Sequence, residues 1–402
     1  MSKKDKKKKG SQQQGQGGYK RFLNDLQQAL HIIDYERKIS EMSNEFKHMM
    51  YDYKHKINNP EAGNEYVSNK ELKLISEKAY SYYHQSSLEF DNRSLSSYQL
   101  QLLFCYTSIK EKETEKQMGV KDHPDVLADK EAADLLLTTF YTKYVTDYFR
   151  IITQLCRPDQ KYYGINIRAA AILNTNPKME LINEIYGFPA CKYMMTINGF
   201  KRPAYRLGKP FYCTIFEWIS LDASLVGNLY KGNQKKLEVY IQSHALQRLK
   251  ERLDLLDQEA INYSVWENTS AIKGFETYRG YLLLPFKVFG IKIGYLAAKI
   301  NEEKILFSTF LFITHNCTPE GDRLKRQTGL GKEDISYWHI DRLSTFVKLK
   351  EEKYPGLIQL FGKVGMGNLM ELKNKKFNID SMQAANLDGL AEYISRGRQE
   401  GR

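Results

Sequence analysis

The chain has 402 residues, 42% hydrophobic and 12% aromatic, with a formal net charge of +12; this is enough for two or three domains with real cores and excludes wholesale disorder. No run of about 18 apolar residues occurs, which excludes a conventional transmembrane helix. The five cysteines, Cys105, Cys156, Cys191, Cys213 and Cys317, never form a C-x-x-C pair, which argues against a disulfide framework and against a cysteine-based zinc ribbon.

Residues 1–18, "MSKKDKKKKGSQQQGQGG", are low in complexity and read as a disordered basic tail. Lys3, Lys4, Lys6, Lys7, Lys8 and Lys9 would tether a polyanion through counterion release. The stretch has no apolar core, so neither a secretory signal nor a membrane anchor is expected, and the setting is read as reducing and cytoplasmic. From Tyr19 to Ile57, Phe22, Leu26, Leu30 and Ile33, then Ile39, Met42, Phe46, Met49, Tyr53 and Ile57, recur at steps of three and four. That is a seam for packing one helix on another, and for a protein partner as well. Further helices are expected near 69–84, 95–111 and 129–155, the last burying Leu135, Leu136, Phe140, Tyr144, Phe149 and Ile152. Residues 19–157 thus read as a helical region, with His48, His55 and His84 as core or rim residues.

After "CRPDQKYYG" the texture changes to short runs rich in aromatic and β-branched residues, such as "CKYMMTI", "LEVYI" and "ILFSTFLFITH", separated by Gly, Pro, Asn or Lys. Residues 158–350 therefore read as an α+β domain with a mainly antiparallel sheet and one inserted amphipathic helix near 241–268. "INEEK" would be a hairpin turn. Residues 351–402 are weaker in pattern and are expected to be loosely structured, with a short helix near 381–396.

The inserted helix carries the chemistry. At 100° per residue, His244, Arg248 and Arg252 share one face, with Leu246, Leu249, Leu253 and Leu256 opposing them and Ser243 placed to cap the first turn. Arginine forks match a phosphate, and a histidine near a helix N-terminus is held neutral and base-competent. Base plus cation clamp is a minimal kit for metal-independent cleavage of RNA, with the 2′-hydroxyl deprotonated and the arginines holding the developing charge.

The segment "SHALQRLKER", followed by "DQEAINYSVWEN" and the strands "GYLLLPFKVFGIKIGYLA" and "KILFSTFLFITH", resembles small domains with an SHAxxRxxER-type opening, placed in the RelE/colicin-like ribonuclease toxin fold. The resemblance spans about residues 237–315. It implies roles for His244, Arg248, Glu251 and Arg252. Pro285 departs from the tighter strands of that family and leaves the pairing register open.

A second candidate lies at "FITHNCTPEGDRLKRQTGLGKEDISYWHID". His315, at a strand end, would serve as the partner acid or base to His244, oriented by His339 or Asp341; alternatively Cys317 or Asp341 would join the histidines around a metal. Arg323, Lys325 and Arg326 would touch nucleic acid from a solvated basic loop. No Walker, HExxH, GxSxG or strand-anchored GxGxxG motif occurs, so no cofactor is expected. Two readings remain. One is a protein acting on nucleic acid, RNA in preference to DNA, through His244, Arg248, Arg252 and His315. The other is a non-catalytic nucleic-acid-binding or assembly protein of a mobile element or phage.

Overall fold

A computed structural model describes residues 3–33, 38–90, 92–172, 178–211, 215–375 and 390–391, with side chains from Gly18 onward except at 171, 172, 178 and 211. The chain divides into two compact units, one formed by residues 1–152 and 165–187, the other by 153–164 and 188–402. The architecture is α+β, and none of the described helices is long and apolar enough to cross a membrane.

The first unit contains α1 (Lys3–Ile32), α2 (Asn44–Tyr53), β1 (Lys56–Ile57), β2 (Glu61–Ala62), α3 (Asn69–Gln85), β3 (Ser87–Phe90), β4 (Arg93–Ser96) and α4 (Ser97–Met118). It also holds most of α5 (Pro124–Leu155) and of the long strands β5 (Lys161–Ile172) and β6 (Lys178–Pro189). The backbone of the low-complexity stretch is helical from Lys3 rather than a disordered tail, consistent with the helix propensity of lysine and glutamine. The side chains of Lys3, Lys4 and Lys6 to Lys9 lie outside the described residues. Capping boxes start two of the helices: Ser68 with Glu71 for α3, and Ser96 with Gln99 for α4.

The helical seam is only partly as the spacing suggests. Phe22, Leu26, Leu30, Ile39 and Met42 are buried, but Met50 rather than Met49 faces inward, and Ile57 belongs to a strand. On α5, Leu136, Phe140, Tyr144 and Ile152 are buried while Leu135 is exposed and Tyr148 and Ile151 take inward positions. The inward side also carries the buried pair of Lys143 with Asp147 at 2.7 Å, to which Ser97 donates at 3.1 Å. Strand β6 is absent from the expectations above. It pairs in parallel with β1 and β2, and its inward side places Asn183 between Leu181 and Ile185, where Asn183 Oδ1 accepts from the Tyr144 hydroxyl at 3.1 Å.

The second unit contains β7 (Lys192–Ile197), β8 (Phe200–Arg206), β9 (Gly208–Phe211), β10 (Ile215–Trp218), β11 (Ser220–Asp222), β12 (Lys236–Gln242), α6 (Ser243–Arg252) and α7 (Gln258–Thr269). There follow β13 (Glu276–Tyr278), β14 (Tyr281–Val288), β15 (Ile291–Asn301), β16 (Lys304–Phe312), α8 (Pro319–Thr328), α9 (Lys332–Tyr337), α10 (Leu343–Lys348) and α11 (Pro355–Lys363). Its main sheet has the order β13-β14-β15-β16-β12-β8-β7, antiparallel except for the parallel pair β12 and β16. One face carries the main core, where Ala245, Leu249 and Leu253 meet Val239, Ile241, Ile305 and Phe307.

Two details of this unit correct the sequence reading. The inserted helical stretch is broken at Leu253–Asp257, because Asp257 caps a separate α7 by accepting from Ala260 N at 2.8 Å. Residues 355–372 are not loose: Leu360, Phe361, Val364, Leu369 and Leu372 are buried in the main core. The short helix expected near 381–396 lies largely outside the described residues. Pro285 sits inside β14 without cost, since β13 ends its pairing at Leu283 and no N–H is needed on that side. The "INEEK" turn is a two-residue hairpin with positive φ at Glu302 and Glu303; the Glu302 carboxylate accepts from Tyr193 Oη at 2.9 Å and Thr196 N at 3.1 Å, which holds an otherwise strained turn.

Candidate functional site

The site arises where the parallel pair of strands separates. Strand β12 ends at Gln242 and turns directly into α6, its last pair with β16 being Ile241 with Phe307. Strand β16 runs on to Phe312 with a bulge at Ser308, its partners on β15 shifting from Ala298–Phe307 to Ala297–Thr309. A stretch of β16 is thus left beside the polar face of α6 instead of beside a strand. Crevices at the carboxyl ends of parallel strands are where open sheets commonly bind ligands.

A cavity of about 620 Å³ fills this place. His244, Arg248 and Arg252 line it from α6, and His315 lines it from the turn after β16. All four candidate catalytic residues therefore face one space. Residues the sequence reading did not single out join them: Lys299 of β15, Lys332 and Glu333 of α9, Tyr281 of β14, and Asn316. Lys299 carried a faint signal, a polar residue alternating with apolar ones along a strand. Lys332 carried none.

Each polar group has a physical state set by its neighbours. His244 is exposed at the first turn of α6, and burial of its ring together with the charge of Arg248 lowers its pKa below the ordinary value, so it is neutral near pH 7. Ser243 is not the cap; it is the first helical residue, and Gln242, at the N-cap, makes no side-chain cap. Arg248 donates to Glu251 at 2.7 Å, an (i, i+3) pair with about two fifths of each side chain exposed, which leaves its fork exchangeable with a ligand. Glu251 accordingly pairs with a neighbour on its own helix.

Arg252 differs from the expectation of an open anion clamp. Its guanidinium is ion-paired to Asp341, and both side chains are largely buried. Burial raises the Asp341 pKa while Arg252 opposes that shift. Asp341 Oδ1 nevertheless lacks a hydrogen-bond partner among the described residues, as does the buried Asn316 Oδ1. So Asp341 orients Arg252, not a histidine, and His339 occupies a left-handed turn position with its carbonyl accepting from Thr345.

His315 Nδ1 accepts from Cys317 N at 3.1 Å, which puts its proton on Nε2. Burial first, then Lys332, Arg252 and Arg248, lower its pKa to about 4. It is a neutral hydrogen-bond donor near pH 7 and not the acid that would partner His244. The turn is fixed from behind: the His315 carbonyl lies 2.1 Å from where a Cβ on Gly321 would stand, so only glycine fits in the first turn of α8. Among the described residues, no group of three His, Cys, Asp or Glu side chains is placed to hold a metal ion.

Depressing the His315 pKa from 6.5 to about 4 makes stability depend on pH. The unfolded chain takes up a proton below pH 6.5 that the folded chain refuses until near pH 4, so this contribution is complete above 6.5 and is lost as pH falls across that window. The full effect is about 3 kcal/mol. Urea midpoints of the parent should fall between pH 6.5 and 4 more steeply than those of His315→Gln; equal slopes would contradict the assignment.

The basic segment expected as a loop is the helix α8. Thr318 caps it, Pro319 opens it and Gly329 ends it in the left-handed conformation. Arg323 is tied to Val364 O at 3.0 Å, while Lys325 and Arg326 are exposed. None of these three lines the cavity. Compared with protein families, with curated proteins and with solved structures, the chain matches none of them.

Proposed function

We propose that the cavity beside α6 binds a phosphodiester of RNA and cleaves it without drawing on a metal ion. The observation that carries this reading is the convergence of His244, Arg248 and His315 with Lys299 and Lys332 on one space. Four cations and two carboxylates line it, and one of each, Arg252 and Asp341, satisfy each other. The remaining positive charge suits a phosphate.

In the step we assign, the neutral His244 ring takes the proton of the 2′-hydroxyl. The 2′-oxygen then attacks phosphorus, the bond to the 5′-oxygen breaks, and that oxygen takes a proton from water. Arg248 and the lysines hold the charge on the non-bridging oxygens, and His315 Nε2–H donates to one of them. The resemblance of residues 237–315 to SHAxxRxxER domains supports the same chemistry. The exposed Lys325 and Arg326, with the lysines of residues 3–9, would then add sequence-independent attraction to the polyanion.

A second reading, binding without cleavage, is favoured by one feature: with its pKa lowered to about 4, His315 is uncharged near pH 7 and is not the acid expected to partner His244. The test is incubation of the full chain with RNA in EDTA. Cleavage leaving 2′,3′-cyclic phosphate ends, with a 2′-deoxy substrate bound but intact, supports the catalytic reading. Binding of both substrates with neither cut supports the second, and binding of neither overturns both.

A further inference from the structure

The first unit holds a cavity of its own, about 460 Å³, between α2, α3, α4 and α5. Its walls are dominated by ring faces. Tyr80 and Tyr83 flank His84, with ring centroids 4.4 and 5.0 Å from the imidazole, and Tyr51, Tyr144 and Tyr148 complete the surround. Rings at these separations already touch one another, so a further flat ring would stack against their cavity-facing side rather than between them, and the volume lies within the range of small-molecule sites.

The polar groups narrow the ligand further. The floor is rigid: the Tyr83 hydroxyl donates to Gln101 at 2.6 Å, and Gln101 in turn donates to the His55 carbonyl at 3.1 Å. Asn58 and Asn59 line the mouth, each with only one carboxamide atom engaged among the described residues, Asn58 Nδ2 donating to Glu180 and Asn59 Oδ1 accepting from Ser76. An amide oxygen and an amide NH₂ are therefore left for the edge of a base. No carboxylate lines the cavity. Lys56 is matched by Glu180 at 2.6 Å, whereas Lys54 lines the cavity and forms no ion pair among the described residues. The histidines add no charge, since burial lowers the pKa of both His55 and His84.

We infer that this cavity is a mononucleotide site, with the base stacked against the exposed side of the Tyr80 and His84 rings, its edge read by Asn58 and Asn59, and its phosphate on Lys54. The site lies wholly within the first unit and does not depend on the cleavage assigned to the second.

The test is titration of the full chain with the four nucleoside 5′-monophosphates, the matching nucleosides and inorganic phosphate, read by calorimetry or tyrosine fluorescence. At least one monophosphate should bind more tightly than its nucleoside and than phosphate alone. Tyr80 is 61% exposed, so Tyr80→Ala leaves the fold intact and should weaken monophosphate and nucleoside alike by roughly ten-fold. Lys54→Gln should weaken the monophosphate by a similar factor and leave the nucleoside unchanged. No binding of any monophosphate up to about 5 mM, phosphate binding as tightly as the best monophosphate, or affinities unchanged in both Tyr80→Ala and Lys54→Gln would overturn the assignment.

Discussion

Replacing His244 with alanine should reduce RNA cleavage in EDTA by about two to four orders of magnitude while the chain stays folded. The ring is exposed at the first turn of α6 and makes no ion pair or side-chain hydrogen bond among the described residues, so its loss should change stability by less than about 0.5 kcal/mol. The rate of the parent should also report the environment of that ring. Because burial and Arg248 hold the His244 pKa below 6.5, activity should rise with pH through a midpoint under that value and then level off. Arg248→Ala removes the neighbouring charge, so the midpoint should move up toward 6.5 as binding weakens. An active His244→Ala variant, or a midpoint that ignores Arg248, would remove the histidine from the reaction.

The second large effect concerns Arg252 and Asp341. Asp341→Ala strands a guanidinium whose side chain is only 18% exposed, at an expected cost of about 3–5 kcal/mol. Arg252→Met combined with Asp341→Leu removes both charges and should recover most of that loss, because the pair's own desolvation disappears with it. Chemical unfolding of the two variants at one pH measures the difference. A single variant as stable as the parent would show that the pair is dispensable and that Arg252 is free to serve as an anion ligand. A double variant as unstable as the single one would mean that Asp341 is held in place for another purpose.

The candidate site was legible in the sequence exactly where it depends on spacing within one element. Steps of four place His244, Arg248 and Arg252 on one side of α6, and the structure keeps all three on the same cavity. His315 at a strand end followed the same logic. What the spacing could not carry is pairing across distance. Asp341 lies 89 residues beyond Arg252, and only the packing of the segment after α9 brings the two together. The tautomer of His315 depends on the Cys317 amide, and its low pKa on burial first and then on Lys332, none of which local pattern exposes. The opening beside β16 rests on where β12 stops and where Ser308 bulges, a matter of register that alternation does not specify.

For the fold, the α+β character and the strand-rich texture were readable from residue type, whereas the one cap read from the sequence, Ser243, is instead the first helical residue of α6. The segment "TPEGDRLKRQTG" shows how charge can mislead: its Thr-Pro opening and terminal glycine are helix signals that outweigh its basic composition. Strand β6 escaped notice because its inward side carries Asn183, a polar residue whose partner Tyr144 lies 39 residues away. The 355–372 segment looked weak because its apolar residues sit on a short α-helix and a 3-10 turn, too brief for a clear period, yet they bury deeply against the sheet.

The central claim is that a phosphodiester occupies the cavity between α6 and β16. It is tested most directly by following the histidine ring resonances of the full chain as a non-cleavable 2′-deoxy oligonucleotide is added across a range of pH. Occupancy should shift the His244 and His315 signals together and raise the pKa of His244, since a bound phosphate offsets the Arg248 charge that depresses it. Saturating oligonucleotide that leaves both rings unmoved would place nucleic acid elsewhere on the protein, or nowhere.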